Sequence, residues 1–205
     1  TNNAVSVLLG APGGKFLPGI TSPLVREARA LAVGDLNGDG FDDVAAGSLP
    51  VSGNLEILLG SASGQLTPWA DTFNGSANAI FGRALALVDV SGDGFRDIVT
   101  SAFGTLSVLP NHGDATFGPA LLTGAGGGSV EALVAEDFDG DGKCDVVAAF
   151  QSGTDDNAQG ALLVNRGNGN GTFTFAQSVV FDGNSPRLGA GRVYHCMNSI
   201  GQMWR

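Results

Sequence analysis

The chain has 205 residues, 43% hydrophobic and only 15% charged, with 33 glycines and a formal net charge of −10 from 20 acidic and 10 basic side chains. That balance lacks the basic face that nucleic acid requires, and no stretch of about 18 apolar residues is present to span a membrane. Glycine this frequent, with no 3.6-residue apolar stripe lasting about ten residues, predicts an all-β chain without helices.

In chain order, the first readable element is VSVLLGAPGGKFLPG from Val5, two short strands around a tight turn. An alternating run from Ala28 to Val33 then enters the acidic loop DLNGDGFDDVAAG at Asp35. A second run leaves it (Val44 to Ala46), a third follows as LEILLG at Leu55, and a glycine-rich turn leads to a fourth at SGQLTPW. The same succession returns as Ala84 to Val88, DVSGDGFRDIVTS at Asp89, Ile98 to Ser101, LSVLPN at Leu106 and DATFGPA. It returns again as Val130 to Ala135, DFDGDGKCDVVAA at Asp137, Val146 to Phe150, ALLVNR at Ala161 and NGTFTFAQ.

The loops begin 54 residues (35 to 89) and 48 residues (89 to 137) apart, a period typical of propeller or solenoid repeats. Four short, alternating, turn-bounded strands per repeat describe one propeller blade. The expectation is a single all-β domain over 1–205, a β-propeller of four-stranded blades with a partial blade at 4–20. Full repeats are placed at about 28–70, 81–120 and 130–177, and an atypical segment without an acidic loop at 186–205. The Val5 run reads as the third and fourth strands of a blade whose first half is missing. Two arrangements stay open: a four-bladed ring in which the end segments pair into a composite blade and leave no sheet edge, or a segment of a larger propeller.

The loops carry the chemistry. A hard cation such as calcium takes six to eight oxygen ligands at about 2.3–2.6 Å, and alternate residues of one tight loop can point inward around it. The candidate ligands are Asp35, Asn37, Asp39, the carbonyl of Phe41 and Asp43 in the first loop. They are Asp89, Ser91, Asp93, the carbonyl of Phe95 and Asp97 in the second, where Ser91 is the weakest. The third offers Asp137, Asp139, Asp141, the carbonyl of Lys143 and Asp145. Gly40, Gly94 and Gly142 stand where the backbone must turn sharply. An EF-hand is excluded, because its twelfth position needs a bidentate Glu and helices on both sides. Those positions here are Ala46, Thr100 and Ala148, and each loop runs directly into a strand.

These residues carry a family resemblance. FGRALALVDVSGDGFRDIVTSA, from Phe81, is similar to the pattern of the FG-GAP/VCBS repeats, the calcium-loop propellers that include the integrin α-subunit head. NHGDATFGP at Asn111 and NGNGTFTFA at Asn168 resemble the hairpins common in VCBS repeats. The similarity covers about residues 4 to 180. The Phe-Gly pair is present only in the second full repeat, and GSLP at Gly47 and TSA at Thr100 stand where Gly-Ala-Pro is the rule. The resemblance implies a propeller and about three Ca²⁺ at the loop residues named above. It implies no single function, because such folds host many.

Ten of the 20 acidic side chains are the loop aspartates, so three bound Ca²⁺ would bring the charge from −10 to −4. Weak calcium sites work where calcium is abundant, outside cells, and the polar TNN start fits a mature or excised segment. The expected place is therefore extracellular or at the cell surface. His112 and His195 belong to no nucleophile or zinc motif, and calcium enclosed by protein oxygens lacks the open position metal catalysis needs. The chain is expected to be a non-catalytic module for adhesion, protein–protein binding or self-association. The alternative is a lectin with a glycan stacked on Trp69, a residue that inter-blade packing explains better. Cys144 and Cys196 either form a disulfide or stand as two thiols. Asn74 and Asn170 match the glycosylation sequon, which here coincides with ordinary Asn-Gly turn chemistry.

Overall fold

A computed structural model of the chain describes residues 3–48, 54–69, 73–74, 84–102, 105–124, 129–152 and 159–181, and every regular element among them is a β-strand. An N-terminal half-blade pairs β1 (Ala4–Val7) with β4 (Ile20–Pro23), with β2 (Gly10–Ala11) and β3 (Lys15–Phe16) forming a hairpin between them. The first full blade contains β5 (Ala28–Gly34), β6 (Asp43–Ser48) and β7 (Asn54–Leu59), its fourth place shared by β8 (Thr67–Pro68) and β9 (Phe73–Asn74). The second has β10 (Ala84–Val88), β11 (Asp97–Ala102), β12 (Thr105–Leu109) and β13 (Leu121–Gly124). The third has β14 (Ser129–Glu136), β15 (Asp145–Ser152), β16 (Gln159–Gly167) and β17 (Phe173–Phe181). Within the full blades neighbours pair antiparallel in sequence order, except that β9 pairs with β7, and β5 lies beside β10 and β10 beside β14. The first strands thus form a hub from which the blades splay, the propeller arrangement that the four-strand repeat predicts.

Period-two alternation decides which side chains face which neighbour. Val44, Ala46 and Leu58 point back to Val5 and Leu24 of the half-blade. Ala45, Leu55 and Ile57 point forward to Leu87, Ile98 and Leu109 of the second blade. Val99, Leu106 and Val108 point forward to Val146, Ala148 and Leu163 of the third. The register repeats, with Ala45 paired to Ile57, Val99 to Val108 and Val147 to Val164, although the last pair is only half-buried. Each fully buried Leu, Ile or Val contributes about 1.5–3 kcal/mol, so the fold is held mainly between blades.

The structure moves some boundaries. DATFGPA is a turn with one bridge, Asn111 to Phe117, and the fourth strand of that blade begins later, at Leu121. Pro119, which follows Gly118, has no N–H to give a ladder. The second and third blades run on to Gly124 and Phe181, past the expected ends at 120 and 177. Phe81, Gly82 and the segment 186–205, with His195 and Cys196, lie outside the described residues.

Candidate metal centres

Each acidic loop spans the turn between the first and second strands of a blade. Its first aspartate accepts two backbone N–H bonds from within the loop. Gly38 and Gly40 donate to the two oxygens of Asp35 (2.7 and 2.9 Å), Gly92 and Gly94 to those of Asp89 (2.6 and 2.8 Å), and Gly140 and Gly142 to those of Asp137 (2.7 and 2.8 Å). All six glycines have φ between 76° and 93°, which L side chains adopt only under strain. The fifth-position aspartates tighten the turn further: Asp39, Asp93 and Asp141 each accept the N–H two residues on, at 2.8–2.9 Å.

The closing aspartate has a second task. Asp43 accepts from Leu36 N (2.8 Å) and, across the blade, from Gly60 N (2.7 Å) at the end of β7. Asp97 accepts from Val90 N and Ser91 N (both 3.0 Å) and from Asn111 N (2.9 Å). Asp145 accepts from Phe138 N (3.1 Å) and Gly167 N (2.8 Å). These three carboxylates are buried and tie the loop to the far end of the third strand. Burial pushes the carboxyls of Asp43 and Asp97 up, against the pull of the backbone N–H groups they accept. The Asp137 carboxyl is held below the usual range, chiefly by the Gly142 N–H and then by that of Gly140.

Among the described residues, Asp137, Asp139 and Asp145 are the group of three carboxylates whose ligand atoms all lie within 4.8 Å of one another. Ligands 2.3–2.6 Å from one calcium sit at most about 5 Å apart, so this donor set fits the ion. The first two loops have Asn37 and Ser91 at the third position, which removes the carboxylate that completes the set in the third. Asp141 lies outside the trio, with Lys143 Nζ 3.7 Å from its Oδ2, while Arg166 Nε sits 3.1 Å from Asp139 Oδ2. The third loop therefore combines the richest carboxylate set with two competing cations. Asn37 Nδ2 donates to Asp39 Oδ2 (3.0 Å), and Ser91 Oγ lies 3.4 Å from Asp89 Oδ1. Phe41 and Phe95 expose their rings at the loop rims.

Reading the sequence overlooked three features of these loops. Gly38, Gly92 and Gly140 are a second left-handed position in each loop, and the recurring Gly-Asp-Gly was its signal. Gly60 and Gly167 allow no side chain, because a Cβ there would collide with the carbonyls of Asp42 and Cys144. The third feature joins blades. The carbonyl of Leu36 accepts Ala115 N (3.0 Å) and Asn111 Nδ2 (2.8 Å) from the next blade, and the carbonyl of Val90 accepts Gly171 N (2.9 Å). Ala115 (φ 60°) and Gly171 (φ 79°) hold the same left-handed turn position, so each of these loops is stapled to the following hairpin.

Other singled-out residues take structural places. The Trp69 indole N–H donates to the carbonyl of Ala115 at 3.1 Å, and its ring packs on the core between the first two blades. His112 is exposed in its hairpin, with Nδ1 3.1 Å from Thr116 Oγ1. Cys144 is buried and disulfide-bonded. Asn170 Oδ1 accepts from Thr172 N (3.1 Å) and Oγ1 (2.6 Å), the local turn bond that its sequence suggests.

The sequence profile of the FG-GAP-like repeat matches the chain three times, over residues 35–100, 89–148 and 137–193, each match opening on the first aspartate of a loop. No curated protein matches the sequence. Three matches in register with three acidic loops and three four-stranded blades leave one assignment: the chain belongs to the FG-GAP-like repeat family.

Proposed function

We propose that this is a non-catalytic, calcium-stabilised propeller module that binds protein partners outside the cell or at its surface. The observation that carries the reading is the convergence of Asp137, Asp139 and Asp145 within 4.8 Å, in a loop whose backbone course the other two repeats share. Calcium there would be held by carboxylates already gathered by the fold. Because the second residue of the first and second loops is also bonded to the next blade, ordering a loop would stiffen a blade junction too. The chemistry calcium supplies is cohesion between like charges. The ring of Trp69 is engaged between blades, which favours a protein-binding module over a lectin built on that residue.

Isothermal titration of chelator-stripped protein with calcium, with melting curves in parallel, tests the reading. Expected are about three sites and a rise in Tm. A ligand at ten times its Kd stabilises by about 1.4 kcal/mol per site, so three sites add about 4 kcal/mol. Asp39→Ala, Asp93→Ala and Asp141→Ala should lower the Tm chiefly when calcium is present. No heat of binding, or equal losses in chelator, would sink the metal reading and leave these residues as turn formers.

A further inference from the structure

A buried side chain joins the first two acidic loops. Leu36 stands between the ligand positions Asp35 and Asn37, and its N–H donates to the closing Asp43 (2.8 Å). Its carbonyl accepts Asn111 Nδ2 at 2.8 Å as well as Ala115 N at 3.0 Å. The same Nδ2 donates to the carbonyl of Arg96 (3.0 Å), and the Asn111 N–H donates to Asp97 Oδ1 (2.9 Å). Asn111 Oδ1 accepts Gly113 N (3.0 Å), so the amide is engaged at both ends, and the residue is only 2% exposed. Asn111 therefore grips the second residue of one loop and the eighth and ninth residues of the next. Gly60 and Gly167 hold the corresponding places in the other two blades. Their N–H groups make the same bond to Asp43 and Asp145, but they carry no side chain to reach a preceding loop. Between the second and third loops the link runs through backbone: Gly171 N, in the hairpin after Gly167, donates to the carbonyl of Val90 at 2.9 Å.

We infer, resting on the calcium reading of these loops, that Asn111 is a positioning residue that couples calcium binding in the first loop to calcium binding in the second. The carboxylates of each loop repel one another until a cation draws them together, and that closure fixes the backbone between them. Closing the first loop fixes the Leu36 carbonyl, and with it the Asn111 amide. The amide in turn fixes the Arg96 carbonyl and the Asp97 carboxylate, directly after the ligand carbonyl of Phe95. Ordering completed at one site is not repeated at the other, so binding at either tightens binding at its neighbour. The gain is equal in both directions. A buried amide suits the task, because losing one of its bonds leaves a polar group unpaired away from water.

Calorimetric titration with calcium, on chelator-stripped protein whose third loop is silenced by Asp139→Ala, is the experiment. Adding Asp39→Ala leaves the second loop to bind alone, and adding Asp93→Ala leaves the first. With Asn111 in place, each lone site should bind at least about fivefold more weakly than it does beside an intact neighbour. Asn111→Gly gives the second blade the residue of the other two and keeps the N–H to Asp97; in it the first and second sites should bind independently. Asn111→Ala removes the amide without adding backbone freedom and should do the same, with circular dichroism establishing that both variants are folded. The second and third sites, measured with the first silenced by Asp39→Ala, should respond to each other as before in Asn111→Gly. Coupling that survives in the folded Asn111 variants, or affinities that ignore the neighbouring loop from the start, would overturn the inference and leave the calcium sites standing. So would a variant that loses the coupling of the second and third sites as well, or one whose Tm falls equally in chelator and in calcium, since Asn111 would then be a structural staple. No calcium binding by any loop would remove the calcium reading and the coupling together.

Discussion

The first and third acidic loops share a backbone and differ in what they offer a metal. In both, two left-handed glycines curl the chain around the first aspartate, and a buried closing aspartate reaches the end of the third strand. They diverge at the third position, Asn37 in one and Asp139 in the other, and in the cations alongside, since Arg166 and Lys143 pair with the third loop. Positions one and nine build the blade, therefore, while positions three and five tune the site. A loop can lose ligand charge, as the first has, without losing its shape. The shape depends on backbone N–H groups that no metal supplies.

The largest effect expected from breaking this division is at a closing aspartate. Asp97→Ala orphans the N–H groups of Val90, Ser91 and Asn111, and each buried unpaired donor costs about 1–3 kcal/mol. A loss of at least about 3 kcal/mol should appear in urea unfolding, in chelator as well as in calcium. If the loss vanishes in chelator, Asp97 is only a ligand. Next comes a site where the third blade departs from the others: Asn165 is fully buried, with neither side-chain polar atom partnered among the described residues, where Leu58 and Leu109 stand in the first two. Asn165→Leu should stabilise by about 1–3 kcal/mol, the desolvation cost of an unpaired polar group, read as a higher urea midpoint at unchanged m.

Asn37→Asp would give the first loop the third loop's ligand set, and tighter calcium binding by about tenfold, about 1.4 kcal/mol, is expected by titration with the chelator-only melt little changed. The smallest effect belongs to Arg166→Ala. Its ion pair with Asp139 is exposed, and exposed pairs contribute about 0–1 kcal/mol. Stability should hardly move, while the third site binds calcium a few-fold more tightly. Weaker binding would mean that Arg166 orders Asp139 for the metal.

Much of the loop was legible because its determinants lie within nine consecutive residues. Aspartates at alternate positions and the Gly-Asp-Gly core imply the turn from local sterics and short-range bonds alone, and strand alternation marks the blades. The first strand of each repeat is found within a residue or so of where its pattern places it. The fourth strand of the second blade is not, because strand pairing there is overridden by Gly118 and Pro119. Trp69 was ambiguous in sequence for a related reason: an aromatic beside a turn looks alike whether a neighbouring blade covers it or not. Its indole bond to Ala115 spans 46 residues.

What the sequence by itself determined is thus the repeating unit: an all-β blade with an acidic, glycine-curled loop, written in contacts a few residues apart. What only the tertiary structure decided is how those units meet. The closing aspartates take their second bond from 14 to 22 residues away. Leu36 is covered by a hairpin whose residues lie 75 positions on or more. Phe138, at the same place in its loop, stays exposed. The local code is the same in all three loops; burial depends on which sheet lies alongside, and that is a property of the assembled blades rather than of any one repeat.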